Sequence, residues 1–320
     1  MELSLIFYII ILAVSFYILV WSGKILVVSL SFMARFLEVS EYVLAFVLMA
    51  VVTSLPEFFV GISSALSDKP QISLGNIIGA NIINVTLAVA LVAIFARAIK
   101  ITSDESQRSS FVAAAIAMSP VIFILDGIIS RTDGIILVSL FLIYIVYLIK
   151  KSRKDYKIYN SVSRDVKDLK DFFGNMGKFI AGLIVIFGSS AIIIWSVTNI
   201  AITLNFSLFI VGLILVAIGT TLPEITFGIR SVLSGKDSMA FGNVLGSTVA
   251  NSALILGVVA ILSPIHINNF KIVFSSLAMM SLSLITFALM VRYKKAITYK
   301  HGIILIFFYI IFLGLEFLLK

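Results

Sequence analysis

The sequence predicts an all-α integral membrane protein of ten transmembrane helices, arranged as two inverted five-helix repeats. Three observations predict it. The 320 residues are 61% hydrophobic and 12% charged, with a mean hydropathy of +1.16, whereas soluble domains are about half apolar and about a quarter charged. Second, Thr53-Ser54-Leu55-Pro56-Glu57 recurs 167 residues later as Thr220-Thr221-Leu222-Pro223-Glu224. The same ungapped register carries Gly61 onto Gly228, Gly75-Asn76 onto Gly242-Asn243, Gly79 onto Gly246 and Asn84 onto Asn251. Third, the apolar spans fall five to each half, and an odd number per repeat forces the repeats into opposite orientations.

The spans follow in order. Residues 3–33 are apolar except for Lys24, longer than the roughly 20 residues that cross a bilayer upright, so a tilted or extended first helix is expected. No basic segment precedes it, and no cleavage is expected. Four more apolar spans lie at about 42–66, 72–96, 109–125 and 133–149, closing a first half of residues 1–150. Residues 151–175 form a polar linker, read as cytoplasmic. There Val162, Val166, Leu169 and Phe173 recur at helical spacing among Arg164, Lys167 and Lys170, the pattern of a surface amphipathic helix or of a basic segment that sets topology. The second half, 176–320, carries spans at about 177–202, 208–233, 239–263, 270–291 and 300–319.

The net charge of +8 reads as membrane topology and not as nucleic-acid binding. With the N-terminus outside, the inner loops hold Arg35, Arg97, Lys100, Arg108, the cluster from Lys150 to Lys178, Arg230, Lys236 and the segment from Arg292 to Lys300. Only Lys69, Arg131, Lys271 and Lys320 fall outside. This is the positive-inside asymmetry of a cell-membrane protein with both termini outside. The absence of cysteine excludes disulfides, thiolate metal sites and a cysteine nucleophile. The two histidines, His266 and His301, lie outside the repeated motifs.

The candidate site is the repeated motif itself. A charge at mid-membrane costs at least about 2.5 kcal/mol, so Glu57 and Glu224 need a function. Pro56 and Pro223 cannot bond the carbonyls of Val52 and Gly219, so both helices must kink or break there. Ala50, Thr53, Ser54 and Glu57 lie at i, i+3, i+4 and i+7, hence on one helix face, and Ala217, Thr220, Thr221 and Glu224 repeat the arrangement. The next span in each half adds a polar stripe: Asn76, Ala80 and Asn84, then Asn243, Ser247 and Asn251, at i, i+4 and i+8. Gly75 and Gly79, like Gly242 and Gly246, form small-residue edges that let backbones approach. Carboxylate, amide, hydroxyl and loosened carbonyl oxygens are hard ligands suited to Ca2+, Na+ or Mg2+.

The paired T-[ST]-L-P-E and G-N-x-x-G-x-x-x-x-N motifs resemble the α-repeats of the Ca2+/cation antiporter superfamily, most closely its Na+/Ca2+ exchanger branch. The resemblance covers the whole ten-span plan. It implies Ca2+ chelated by Glu57 and Glu224 with help from the Thr53 and Thr220 carbonyls. It implies Na+ ligands at Ala50, Ser54 and position 80 in one half and at Ala217, Thr221 and Ser247 in the other, with Asn84 and Asn251 flanking the centre. Alternating access, a sliding role for the first span and its counterpart near 177–202, and no K+ co-transport are further implications. Ala80, where a hydroxyl is expected, keeps an H+/Ca2+ antiporter open as the alternative. A passive channel and an intramembrane protease fit less well, since the carboxylates form an internally inverted pair and no nucleophile–base set accompanies them. The transported ions and the lipid bilayer are the expected partners, with no cofactor, no enzymatic activity and function as a monomer.

Overall fold

A computed structural model describes residues 2–36, 52–101, 104–155, 169–235, 237–267, 269–294 and 296–318. In chain order these form α1 (Glu2–Phe36), α2 (Leu55–Leu66), α3 (Pro70–Ile83), α4 (Val89–Phe95), β1 (Ala98–Lys100), α5 (Asp104–Ala117), α6 (Pro120–Phe123), β2 (Ile128–Ile129) and α7 (Arg131–Asp155). The second half gives α8 (Leu169–Leu204), α9 (Leu208–Val211), α10 (Ala217–Thr220), α11 (Leu222–Leu233), α12 (Asp237–Val249), α13 (Leu256–Leu262), β3 (Ile265–His266), α14 (Phe270–Tyr293), β4 (Ala296–Thr298) and α15 (Tyr299–Leu318). Three π-helical segments, Asn84–Ala88, Gly212–Val216 and Ala250–Ile255, join α3 to α4, α9 to α10 and α12 to α13.

Among the described residues, eight helical stretches are long and apolar enough to cross a membrane. The second and fourth sequence-predicted spans correspond to shorter apolar helices, Leu55–Leu66 and Ser110–Phe123; residues 42–51 of the former lie outside the described residues. The fourth is interrupted at Met118-Ser119, because Pro120 lacks the N–H that would reach the carbonyl of Ile116. Helix also reaches further into the linker than the sequence pattern indicates. The α7 helix runs to Asp155 and α8 begins at Leu169, so Leu169 and Phe173 belong to the long helix α8. Val162 and Val166 lie outside the described residues.

Two packing units result. The long helices α1 and α8 lie chiefly against each other, with Leu12, Leu19, Ile186, Ile193 and Val197 in their shared core. The outer face of α1, including Ile6, Phe7, Ile10, Val14 and Trp21, is exposed, as suits a lipid-facing surface. The remaining helices enclose α3 and α12, each most buried of the spans with α4 and α13 as continuations. Glycine sets how closely they pack. A Cβ on Gly75 would lie 2.1 Å from the Phe209 carbonyl, and one on Gly79 would lie 2.1 Å from that of Leu213. Gly212 returns the contact, with the Ile72 carbonyl 2.2 Å from where its Cβ would stand. Backbone therefore meets backbone between α3 and the π segment Gly212–Val216.

Two short antiparallel strand pairs tie the halves together: Ala98–Lys100 with Ala296–Thr298, and Ile128–Ile129 with Ile265–His266. Each joins a first-half loop to a second-half loop. Strands of two or three residues carry no period-2 signal, so the sequence pattern reads these segments only as connections.

Candidate cation site

Proline breaks both motif helices where expected. A turn at Ser54 separates the helical residues 52–53 from α2, and a turn at Thr221 separates α10 from α11. Pro56 and Pro223 each sit in the first turn of the helix that restarts, the one helical position where a missing N–H costs nothing. The first backbone bonds of the new helices run from Phe58 N to Ser54 O at 3.0 Å and from Ile225 N to Thr221 O at 3.2 Å. Each break thus makes a helix N-terminus inside the protein, and Glu57 and Glu224 fall in those first turns. The positive end of the helix dipole favours a carboxylate there.

The repeats interlock by two equivalent bonds. Thr53 Oγ1 donates to Asn243 Oδ1 at 2.9 Å, and Thr220 Oγ1 donates to Asn76 Oδ1 at 3.1 Å. Each crosses from a motif helix of one half to the asparagine stripe of the other, and the 167-residue offset carries one onto the other. Thr53 Oγ1 also lies 3.3 Å from Ser247 Oγ. Thr221 Oγ1 donates back to the Ala217 carbonyl at 2.7 Å, which leaves its lone pairs free to accept. The charges of Glu57 and Glu224 interact across the two halves, and among the described residues all four of their carboxylate oxygens are buried without a hydrogen-bond partner.

Thr53, Ser54, Glu57, Thr220, Thr221, Glu224, Ser247, Asn84, Asn251 and Ala217 are all buried, on elements that pack on one another, and side-chain bonds join Thr53 to Ser247 and Asn243 and Thr220 to Asn76. Ala50 lies outside the described residues. Asn84 opens one π segment and Asn251 lies within another, a distortion common at functional sites. Sequence periodicity assumes 3.6 residues per turn and does not reveal it. It also passes over Asn81, Ser252 and Met280, whose side chains bond beside Asn251. Among the described residues, Ser54, Glu57, Asn76, Asn84, Glu224, Asn243 and Asn251 hold ten buried side-chain N and O atoms without a partner. Seven of the ten are oxygens, four of them carboxylate oxygens of Glu57 and Glu224; buried polar groups are normally bonded, and such a set of oxygen ligands fits a hard cation. A cavity of about 340 Å3 lies apart from these carboxylates, lined by Gln71, Leu74, Phe206, Phe209, His266 and Ile272 among others.

A buried carboxylate pair on broken, interlocked membrane helices defines an ion-transporter architecture, and the comparisons with known proteins agree. The chain belongs to the sodium/calcium exchanger protein family, whose model matches residues 7–150 and 175–318; this is a family of transporters and not of enzymes. It is 27% identical over 307 residues to the putative antiporter CaxA of Alkalimonas amylolytica, covering 94% of this chain and 95% of that one. It is 34% identical over 104 residues to the sodium/calcium exchanger MaX1 of Methanosarcina acetivorans, 32% of this chain and 29% of the relative. Among solved structures, the sodium-calcium exchanger NCX_Mj superposes with a TM-score of 0.68 at 25% identity, covering 97% of this chain and 99% of that one.

Proposed function

We propose that this protein is a secondary active antiporter that exchanges Ca2+ for Na+ across the cell membrane by alternating access. The observation that carries the reading is the pair Glu57 and Glu224, buried, unbonded and supplied by equivalent positions of the two halves. Two carboxylates balance one Ca2+ with help from the Thr53 and Thr220 carbonyls, the hydroxyl oxygens of Ser54, Thr221 and Ser247 suit Na+, and the amides of Asn84 and Asn251 flank the centre. Ala50 and Ala217 contribute through their backbone oxygens. Because both ions need the same carboxylates, they compete. The site without either would carry two uncompensated charges in a low-dielectric setting, which penalises crossing and makes transport an exchange. Ten spans in two inverted repeats, with both termini outside, fit the distribution of Lys and Arg between loops. The pairing of α1 with α8 supports their moving as one unit against the bundle that holds the motifs. Similarity to CaxA supports antiport, and similarity to MaX1 and NCX_Mj supports the ion assignment.

Substitution of either carboxylate tests the site. Removing one member of a buried, charge-balanced set costs about 3–5 kcal/mol, roughly a hundredfold or more in affinity. Glu57→Gln and Glu224→Gln are each expected to abolish Ca2+ exchange in proteoliposomes while preserving a monodisperse, folded protein. Wild-type exchange by either folded variant would remove the central-site assignment.

A further inference from the structure

Asn81 stands one residue beyond Ala80 and, unlike Asn76 and Asn84, has no counterpart in the second half, where Thr248 occupies its position. The side chain is buried and engaged at both ends. Its Nδ2 donates to Ser252 Oγ at 2.6 Å and to the Met280 thioether at 3.8 Å. Its Oδ1 accepts from Asn251 Nδ2 at 3.2 Å. The direction of this chain is fixed from one end. A thioether sulfur can only accept, so the Asn81 amine must face Met280 and Ser252, and its carbonyl oxygen must face Asn251. Asn251 therefore spends its own amine on Asn81, which leaves Asn251 Oδ1 buried and without a partner among the described residues. That residue shares a helix face with Asn243 and Ser247, both in contact with Thr53, and its π segment packs on the helix that carries Glu57. Asn84 is held differently: among the described residues neither of its buried side-chain polar atoms has a partner, and none of those residues selects its oxygen over its amine.

We propose that Asn81 is a positioning residue that holds Asn251 with its amide oxygen toward the transported cation, making the two halves of the site unequal. The inference rests on the cation-site reading above. A cation is attracted by an amide oxygen and repelled by an amide N–H, so the orientation of Asn251 decides the sign of its contribution. With Asn81 in place the oxygen is always the atom presented. Without it the amide turns freely and part of the population offers the wrong end.

The test is equilibrium Ca2+ binding to the purified full chain in four forms: wild type, N81T, N251D and N81T/N251D. Threonine suits the position because Thr248, its counterpart, satisfies its own hydroxyl on the Leu245 carbonyl at 2.9 Å, and a threonine at 81 would release Asn251 in the same way. Loss of one oriented ligand is worth a factor of roughly five in affinity. The N81T substitution should raise the Ca2+ Kd about fivefold in the wild-type background and leave it unchanged in the N251D background, since a carboxylate offers oxygen whichever way it is turned. Equal losses in both backgrounds would mean a merely structural role, and no loss in the wild-type background would mean no orienting role; either overturns the proposal. If N81T does not fold, Met280→Ala, which removes the acceptor that fixes the Asn81 amine, is measured in the same two backgrounds. Glu57→Gln is the control for the underlying reading: unchanged Ca2+ binding in that variant would show that the cation site itself is misassigned, independently of Asn81.

Discussion

At the scale of single residues, the two halves of the site are equivalent at their centre and differ at their edge. The Thr53–Asn243 and Thr220–Asn76 bonds are images of one another, but Ser247 faces Thr53 with a hydroxyl where Ala80 has only a methyl group. Asn81 does not fill that gap, because its side chain is committed to Ser252, Met280 and Asn251. Na+ is singly charged and depends on several neutral oxygens, so the loss of one weakens its site without removing it. On the proposed reading, Ca2+ depends chiefly on Glu57 and Glu224. Restoring one ligand is worth about 1 kcal/mol, a factor of roughly five. Ala80→Ser is therefore expected to lower the Na+ concentration for half-maximal exchange about fivefold while barely changing the half-saturating Ca2+ concentration. An unchanged Na+ dependence would show that position 80 does not reach the ion. The carboxylates, threonines and repeated asparagines were legible from sequence because each stands in an apolar run and recurs in register. The Asn81 chain was not, because it breaks the repeat and draws one partner, Met280, from a helix that carries no motif.

At the scale of elements, glycine and proline decide the architecture more than hydrophobicity does. Proline sets where α2 and α11 restart, and glycine sets how closely α3 approaches its neighbour. The glycines differ in what a methyl group would meet. At Gly75 it would strike the Phe209 backbone at 2.1 Å, whereas at Gly188, midway along α8, nothing lies within 4 Å. Gly75→Ala is expected to destabilise the protein by about 1–3 kcal/mol through overpacking against backbone that cannot yield. Gly188→Ala should be neutral or stabilising by up to about 1 kcal/mol, since alanine is the better helix former. Thermal unfolding in detergent, read beside transport, separates the two; equal effects would contradict the packing described for α3. The sequence pattern located both proline breaks and the glycine edge of α3. The π segments and the short strand pairs escaped it, since the former keep helical composition while shifting register by a residue and the latter are too short to alternate.

At the scale of the whole molecule, the two packing units suggest how exchange is coupled. The long pair α1 and α8 meets the motif helices chiefly through α8 against α2, and the Phe16 ring of α1 lies against Gly219 beside Thr220. The bundle around α3 and α12 is closed by backbone contacts and by strand pairs that cross between halves. On the proposed alternating-access mechanism, a mobile pair on a fixed bundle would expose one site to the two sides in turn, and a site that must be charge-balanced to cross would convert that motion into exchange. The membrane setting and the repeat were readable from composition and register, and the family from the resemblance of the repeated motifs, whereas the division into two packing units required the contacts. The central claim is that Na+ is the ion exchanged for Ca2+, and one measurement addresses it most directly. Purified protein in proteoliposomes is supplied with external Ca2+ under an outward Na+ gradient, and separately under a pH gradient without Na+. Ca2+ uptake that follows the Na+ gradient and is absent with the pH gradient alone is the predicted result. Uptake that ignores Na+ and follows pH would contradict it and make the protein an H+/Ca2+ antiporter.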